Sequence, residues 1–415
     1  MIIRKIKPEE VKRTEQLFSI SFDSSYHKEE TPLELYNNYI GNPKSREEEY
    51  CLERFAAFED DDKTMMGCFI VQPFEIRFDS HTEKMAGIGG VATLPQYRKR
   101  GGIRACFEAA LPYMYEQGIA FSFLYPFSTA YYRKFGYEMF CKSHKYRIAL
   151  PHIPSFPITG SCYLLDETTK DRAGADIPSI YRTWLEKYNM MVEETSYDYD
   201  FIRSANPYKD QTFTYIYRSE EGQPLSYVTF KCHTAPEQRW IECSRFFYIN
   251  KEGLQGLLTL VKGFATDYRH ITFTLPSDLG LEQMMPEWSM GAVGCERLPL
   301  GMVRVVDVNR VLKDASYIGD GELSIAITDP FIQQNNGIFT VTFQNGRCTD
   351  ISQIQDVDKE AHISLPISAF SALIAGGYDT SSIPFWENIK LSDNCPMDIL
   401  SKIFYQKPVF IAHYF

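Results

Sequence analysis

Between residues 102 and 118 the apolar side chains Ile103, Cys106, Phe107, Ala110, Leu111 and Met114 recur at the spacing of one helix face, and Gly118 marks its end. The rhythm upstream is different. RFAAF (54–58), MMGCFIVQPFEIRF (65–78) and the stretch from Met85 to Thr93 read as strands, the first two set around the acidic turn EDDDK. Helical patterns run from Pro8 to Ser21 and from Pro32 to Tyr39. IAFSFLYPF (119–127) is strand-like, and Ser128 is a fair N-cap for a short helix STAYYRKF that Gly136 ends. Alternation from Tyr137 to Leu150 predicts a returning strand. Residues 1–148 are therefore expected to form one α/β unit.

A Pro-rich stretch, ALPHIPSFPITG (149–160), reads as a linker, after which a similar order recurs over residues 161–300. CYLLD reads as a strand, IPSIYRTWLEKY as a helix, and FTYIYR, LSYVTFKC and RWIECSRFFYI as strands. GLQGLLTLVKGFA then reads as an amphipathic helix and HITFTLP as a last strand. From about Gly301 the texture becomes α+β, with MVRVVDVNRVL, ELSIAITD, GIFTVTFQNGRC and HISLPISAFSALIAGG mixing strands and helices. NNG (335–337) reads as a hairpin turn. The final stretch PVFIAHYF is apolar and aromatic, and is expected to dock inside the protein rather than fray.

Composition narrows the function classes. A net charge of -11 argues against general nucleic-acid binding and is compatible with drawing in cationic small molecules. The N-terminus carries no signal-peptide h-region, and no run of about 18 apolar residues predicts a membrane span. The ten cysteines are scattered without a C-x-x-C pair, which reads as reduced thiols in a cytoplasmic protein. The eight histidines do not pair at metal-ligand spacing, so no metal is expected.

The stretch with chemistry in it is VATLPQYRKRGGI (91–103). A strand feeding a glycine turn and then a helix gathers unpaired N–H groups at the positive end of the helix dipole, which is an anion site. Gly101 and Gly102 let the backbone approach a phosphate closely, and Arg98, Lys99 and Arg100 add charge-assisted contacts. A solvated basic helix start is the plainer reading of the same residues. Just upstream, Gly87 to Ala92 matches G-x-G-x-x-A, but Pro95 follows where a dinucleotide-binding helix should run. Those glycines read as strand or bulge residues that let a neighbour approach.

VATLPQYRKRGGI resembles the acetyl-coenzyme A motif of the GNAT N-acetyltransferases, V-x-V-x-P-x-x-[RQ]-x-x-G-x-[GA], with Thr93 in place of the second valine and Ile103 at the last small position. Three basic residues before the glycine are the form found in the Eis (enhanced intracellular survival) family. Tyr132-Arg133-Lys134-Phe135-Gly136-Tyr137 looks like that family's Y-x-x-F-G-Y, and the chain's aromatic end at Phe415 is similar as well. The resemblance implies two tandem GNAT-like domains, the second degenerate, plus a C-terminal domain similar to sterol carrier proteins. The boundaries it suggests are 1–148, 149–300 and 301–415. It implies acetyl-coenzyme A as cosubstrate, primary amines of aminoglycoside-like, polyamine or lysine-type compounds as acceptors, and a homohexamer. By the same resemblance Tyr132 protonates the leaving sulfur and the Phe415 carboxylate, its pKa raised by burial, accepts the amine proton. Val91 and Thr93 would hold the pantetheine arm with their backbone groups, and Arg98, Lys99, Arg100, Gly101, Gly102 and Ile103 would surround the pyrophosphate. Ser128 and Thr129 are further coenzyme candidates, and Asp23 is a candidate carboxylate for the acceptor. The alternative is a non-catalytic carrier or scaffold binding an apolar ligand through its third domain. The intact Tyr132 and cradle favour the enzyme.

Overall fold

A computed structural model describes residues 1–22, 53–195, 198–236, 238–285, 288, 291–355 and 360–413. The helix expected over Pro32 to Tyr39 lies outside the described residues. Contacts divide the chain into two compact units. One gathers residues 1–141, 300–407 and 413, and the other gathers residues 142–299 and 408–412.

In the first unit, strands β1 (Ile2–Lys5), β2 (Glu53–Phe58), β3 (Met65–Phe78), β4 (His81–Thr93) and β5 (Phe121–Leu124) lie side by side in that order. Helix α1 (Val11–Phe22) packs over one face and α2 (Gly102–Glu116) over the other. This explains why RFAAF shows no polar alternation. Phe55 and Ala57 belong to the core under α2, while Ala56 and Phe58 belong to the core under α1. All six residues predicted for the apolar face of α2 are buried.

The pairing of β4 decides the shape of the site. It is antiparallel to β3 throughout but parallel to β5 only from Met85 to Ile88. Its register against β3 slips between Gly89 and Ala92, so Gly90 and Val91 together face Phe69. This is a β-bulge, as the glycines suggested. Gly90 sits at φ +58°, and a Cβ there would lie 2.8 Å from the Phe18 ring, so it is a neighbouring side chain that approaches. Two strand readings need correction. β4 begins at His81, because Asp79 and Ser80 (φ 46° and 76°) make a tight hairpin with β3 that no glycine announces. β5 is shorter than 119–127, because its parallel pairing stops at Leu124.

After β5 come the short helix α3 (Thr129–Arg133) and β6 (Glu138–Ala149). The sheet of the first unit is completed by the end of β12 (Val293–Val305), whose Met302–Val305 pairs antiparallel with β5. The second unit orders its strands β6, β11 (His270–Pro276), β10 (Gln238–Tyr248), β9 (Pro224–Ala235), β8 (Thr212–Arg218) and β7 (Ser161–Leu164). Helices α4 (Lys170–Lys187) and α5 (Lys251–Lys262) pack on it. It repeats the first unit, including a parallel pair, β10 with β11, and a register slip in β10 between Cys243 and Arg245. α4 starts seven residues before the expected Ile177, because the charged turn Lys170–Gly174 is already helical.

The C-terminal part of the first unit holds α6 (Val308–Asp314), β13 (Gly321–Thr328), β14 (Gly337–Gln344), β15 (Arg347–Ile354), β16 (Ile363–Pro366), α7 (Ile367–Ile374), β17 (Lys390–Leu391) and α8 (Met397–Ile403). Its sheet runs β15-β14-β13-β16-β17. NNG is not the tight turn expected. Asn335 ends a 3-10 turn and is buried, with its amide donating to the Asp329 carboxylate and the Val306 carbonyl. The tight hairpin is instead Asn345-Gly346 (φ 51° and 76°), which splits GIFTVTFQNGRC into β14 and β15. Along the apolar tail, Lys407 is buried and donates to Asp79. Phe410, within the second unit, packs edge-on against Trp184 at 5.6 Å.

Replacing Gly90 by alanine forces a left-handed backbone on a residue with a Cβ and drives that Cβ into Phe18. Gly90→Ala is expected to lower stability by about 1–3 kcal/mol, read as a lower denaturation midpoint in urea.

Candidate active site

α2 begins at Gly102 with Gly101 as its N-cap, at φ +84° and with no side-chain cap. Gly101 thus leaves the first-turn N–H groups of α2 without a capping side chain. Lys99 is also left-handed, at φ +65°, so the loop 98–101 curls its amides toward the helix start. A Cβ on Gly101 would meet nothing within 4 Å, whereas one on Gly102 would press on Ala57 at 3.1 Å. Gly101 is thus required by its backbone angle and Gly102 by close packing of α2 on β2. The result is a concave, uncapped, positively polarised helix end with open space before it.

That space is a cleft of about 730 Å³. Of the residues singled out in the sequence, Val91, Thr93, Arg98, Lys99, Gly101, Gly102 and Ile103 line it. Arg104 and Lys134 add two more cations, and none of the described residues lining it is acidic. Past Ile88, β4 has no ladder partner on its β5 side among the described residues, so the backbone around Val91 and Thr93 faces the cleft with groups to offer. Bulge, splay and uncapped helix end thus combine into a trench that offers backbone groups along its wall and positive charge at one end. These residues fit the pantetheine arm and pyrophosphate of a coenzyme.

The remaining predicted residues are placed differently. Arg100 does not line the cleft. It sits 5.0 Å over the Tyr97 ring and 3.8 Å from Glu59. Ser128 is the N-cap of α3, its hydroxyl accepting from Tyr131 N at 3.4 Å, and Thr129 is the first residue of that helix. Tyr132 is 2% exposed. Its ring packs edge-on to Phe107, Phe127, Tyr131 and Tyr137, and its hydroxyl makes no hydrogen bond to another described residue. Burial, followed by the neighbouring phenols of Tyr131 and Tyr137, raises its pKa above the usual 10, which keeps the proton on. Tyr131 is half-buried and lines the cleft. Asp23 and Phe415 lie outside the described residues. The nearest described part of the tail is His413, whose carbonyl accepts from Tyr125 Oη at 2.5 Å, in the segment between β5 and α3.

Sequence reasoning missed the aromatic walls of the cleft, which are Phe22, Tyr97, Phe127, Tyr131 and Phe135. Phe127 is 73% exposed and stacks toward Tyr131 at 5.3 Å. Only the fold brings α1, the proline turn and α3 to one opening. Lys134, inside the quoted tyrosine motif, carried a charge signal that could have marked it. Among the described residues no three His, Cys, Asp or Glu side chains gather as a metal site.

The Acetyltransferase (GNAT) domain family matches residues 2–140, and the Sterol carrier protein domain family matches residues 308–412. No curated protein matches the chain. Among solved structures, a conserved protein of Enterococcus faecalis named as a probable N-acyltransferase aligns over 100% of this chain and 99% of its own, at 20% identity and a TM-score of 0.82. A GCN5-related N-acetyltransferase from Anabaena variabilis covers 100% of each chain at 17% identity and a TM-score of 0.81. Eis1 from Mycobacterium abscessus covers 100% of each at 16% identity and a TM-score of 0.75. At such identities these structures show that the fold is shared along the whole chain. The family matches give the chain an acetyltransferase (GNAT) domain over the residues that build the cleft and a sterol carrier protein domain near its C-terminal end.

Proposed function

We propose that the protein transfers the acetyl group of acetyl-coenzyme A to a primary amine of a cationic small molecule, of the aminoglycoside, polyamine or lysine type. The observation that carries this reading is the cleft itself. An uncapped helix end with Lys99 and Gly101 in left-handed conformations lies in one trench with Val91, Thr93 and the residues flanking Tyr132. The net charge of -11 favours a cationic acceptor over an anionic one.

The coenzyme brings an acetyl group activated as a thioester. Arg98, Lys99 and the N–H groups of Gly101, Gly102 and Ile103 hold its pyrophosphate, and the strand edge at Val91 and Thr93 orients its arm. Tyr132 gives its proton to the sulfur as the carbon–sulfur bond breaks. The carboxylate at Phe415 takes the proton from the amine as the new carbon–nitrogen bond forms. Asp23 holds a second ammonium of the acceptor. The proton on Tyr132 is secured by the burial that raises its pKa. The assignment of the base draws support from the Tyr125–His413 hydrogen bond, which holds the chain two residues before Phe415 within the catalytic unit. The homohexamer implied by the resemblance belongs to the same reading.

Thiol release from acetyl-coenzyme A with an aminoglycoside and polyamine panel tests the function. Tyr132→Phe is expected to lower kcat by roughly 100-fold or more, the range of a lost general acid. Tyr131→Phe is expected to stay within a few-fold, and the reverse ranking reassigns the acid to Tyr131. Because the acid works protonated and its pKa is raised, the alkaline limb of the kcat profile is expected above pH 10 in the wild-type enzyme. A limb near neutrality would contradict the assignment. Gly101→Val is expected to weaken acetyl-coenzyme A binding at least tenfold by calorimetry, since it both strains the loop and covers the helix end. A C-terminal tag that converts the Phe415 carboxylate to an amide is expected to abolish turnover while leaving coenzyme binding intact.

A further inference from the structure

The buried Arg304 on β12 belongs to neither the cleft nor the coenzyme cradle. It is fully buried, opposite Ser122 of β5. Its Nη2 pairs with Asp329 Oδ1 at 2.7 Å, and its Nη1 donates to the Val305 carbonyl at 2.8 Å. Its Nε donates to the carbonyl of Phe135 at 2.8 Å. That contact reaches the helix of the predicted acid. Phe135 N donates to the Tyr132 carbonyl at 2.9 Å, and Tyr137 N reaches the same carbonyl at 3.4 Å. One residue, Phe135, therefore separates the guanidinium from the backbone of Tyr132.

The far end of this link is held rigidly. Asp329 accepts from Phe331 N, Ile332 N and Asn335 Nδ2 at 2.9, 3.2 and 2.9 Å, so its carboxylate is oriented before it meets Arg304. The same loop supports the acid helix from below. Phe331 lies 6.1 Å from the Phe135 ring, and Ile332 shares a core with Tyr132. Gly136, at φ +84°, has Ile367 of α7 where its Cβ would be, at 2.8 Å. A buried ion pair is a poor source of stability compared with apolar packing, but it fixes direction through its planar fork. Misplacement of a catalytic group by about 1 Å costs on the order of 100-fold in rate.

We propose that Arg304, anchored on Asp329 of the sterol carrier protein domain, is a positioning residue for acetyl transfer: it holds the Phe135 carbonyl and thereby sets Tyr132 against the leaving sulfur. The C-terminal domain is then a working part of the catalytic unit, supplying the fixed end of the link. This inference rests on the reading of Tyr132 as the acid.

The test is a double-mutant cycle on the full chain with Arg304→Lys, Tyr132→Phe and the pair. Asp329→Asn is run in parallel as a milder change that keeps shape. Acetyl-coenzyme A affinity and thermal midpoint are measured for each. The expected result is a kcat at least tenfold lower for Arg304→Lys, with coenzyme affinity within twofold of wild type. Adding the same change to Tyr132→Phe should cost less than twofold more, and Asp329→Asn should move kcat in the same direction. Equal losses in both backgrounds, or losses confined to affinity or to the thermal midpoint, would overturn the positioning role and leave the tyrosine assignment standing. Full activity in Tyr132→Phe alone would remove the acid reading and this inference with it.

Discussion

Everything at the site depends on a strand pair that comes apart. β4 and β5 are hydrogen-bonded from Met85 to Ile88 and from Phe121 to Leu124, and then the bulge at Gly90 turns β4 away. A bulge adds one residue, bends the strand and interrupts its ladder. Backbone groups that would have been spent between the strands are left for another partner. The bulge needs a residue that tolerates φ +58° with an aromatic ring in contact, and glycine meets both demands. The proline turn and basic loop after β4 then lead into α2 at Gly102, so the open edge and the positive helix end line the same cleft.

The second unit shows that this fold alone does not make such a site. It has the same strand order, the same parallel pair and a register slip at the matching point of β10. Yet its corresponding helix α5 begins with Asn250, whose side chain accepts from Gly253 N at 2.9 Å. The first orphan donor is satisfied from within, and no basic loop with left-handed residues stands before it. In the first unit the cap is Gly101, which has no side chain to offer. One architecture thus carries either a self-capped structural helix or a helix end kept free for an anion.

The sterol carrier protein domain is built into the catalytic unit rather than appended to it. β12 pairs with β5, Lys407 is buried against Asp79 at the β3–β4 turn, and Ser316 N donates to the same carboxylate at 2.8 Å. Arg310 of α6 pairs with Glu83 of β4 at 2.7 Å, and desolvation lifts that buried carboxyl to about 7. Asp79, Glu83 and Lys407 are buried, and a buried charge left without its partner is costly. Such joints favour a single arrangement of the two parts over many similar ones.

What the sequence by itself determined is what is coded locally. The six-residue face of α2, the doubly apolar RFAAF strand, the Ser128 cap and the basic-glycine loop each follow from periodicity or from backbone preference within a few residues. The hairpin at Asp79 and Ser80 escaped because both positions are left-handed and neither carries the glycine that would have marked the turn. Asn345-Gly346 was a legible turn signal overshadowed by the neighbouring NNG, whose Asn335 serves the core instead. Tertiary structure alone decided that β12 rather than β6 pairs with β5, since strand partners far apart in the chain are chosen by which faces remain to be buried. It also decided that Tyr131 faces the cleft while Tyr132 is enclosed, and that Phe22 and Phe127 stand at one opening. Two adjacent tyrosines are nearly identical in sequence terms. Their different fates come from how a five-residue helix packs, with Tyr132 turned onto Phe107 and Tyr137 and Tyr131 left at the cleft.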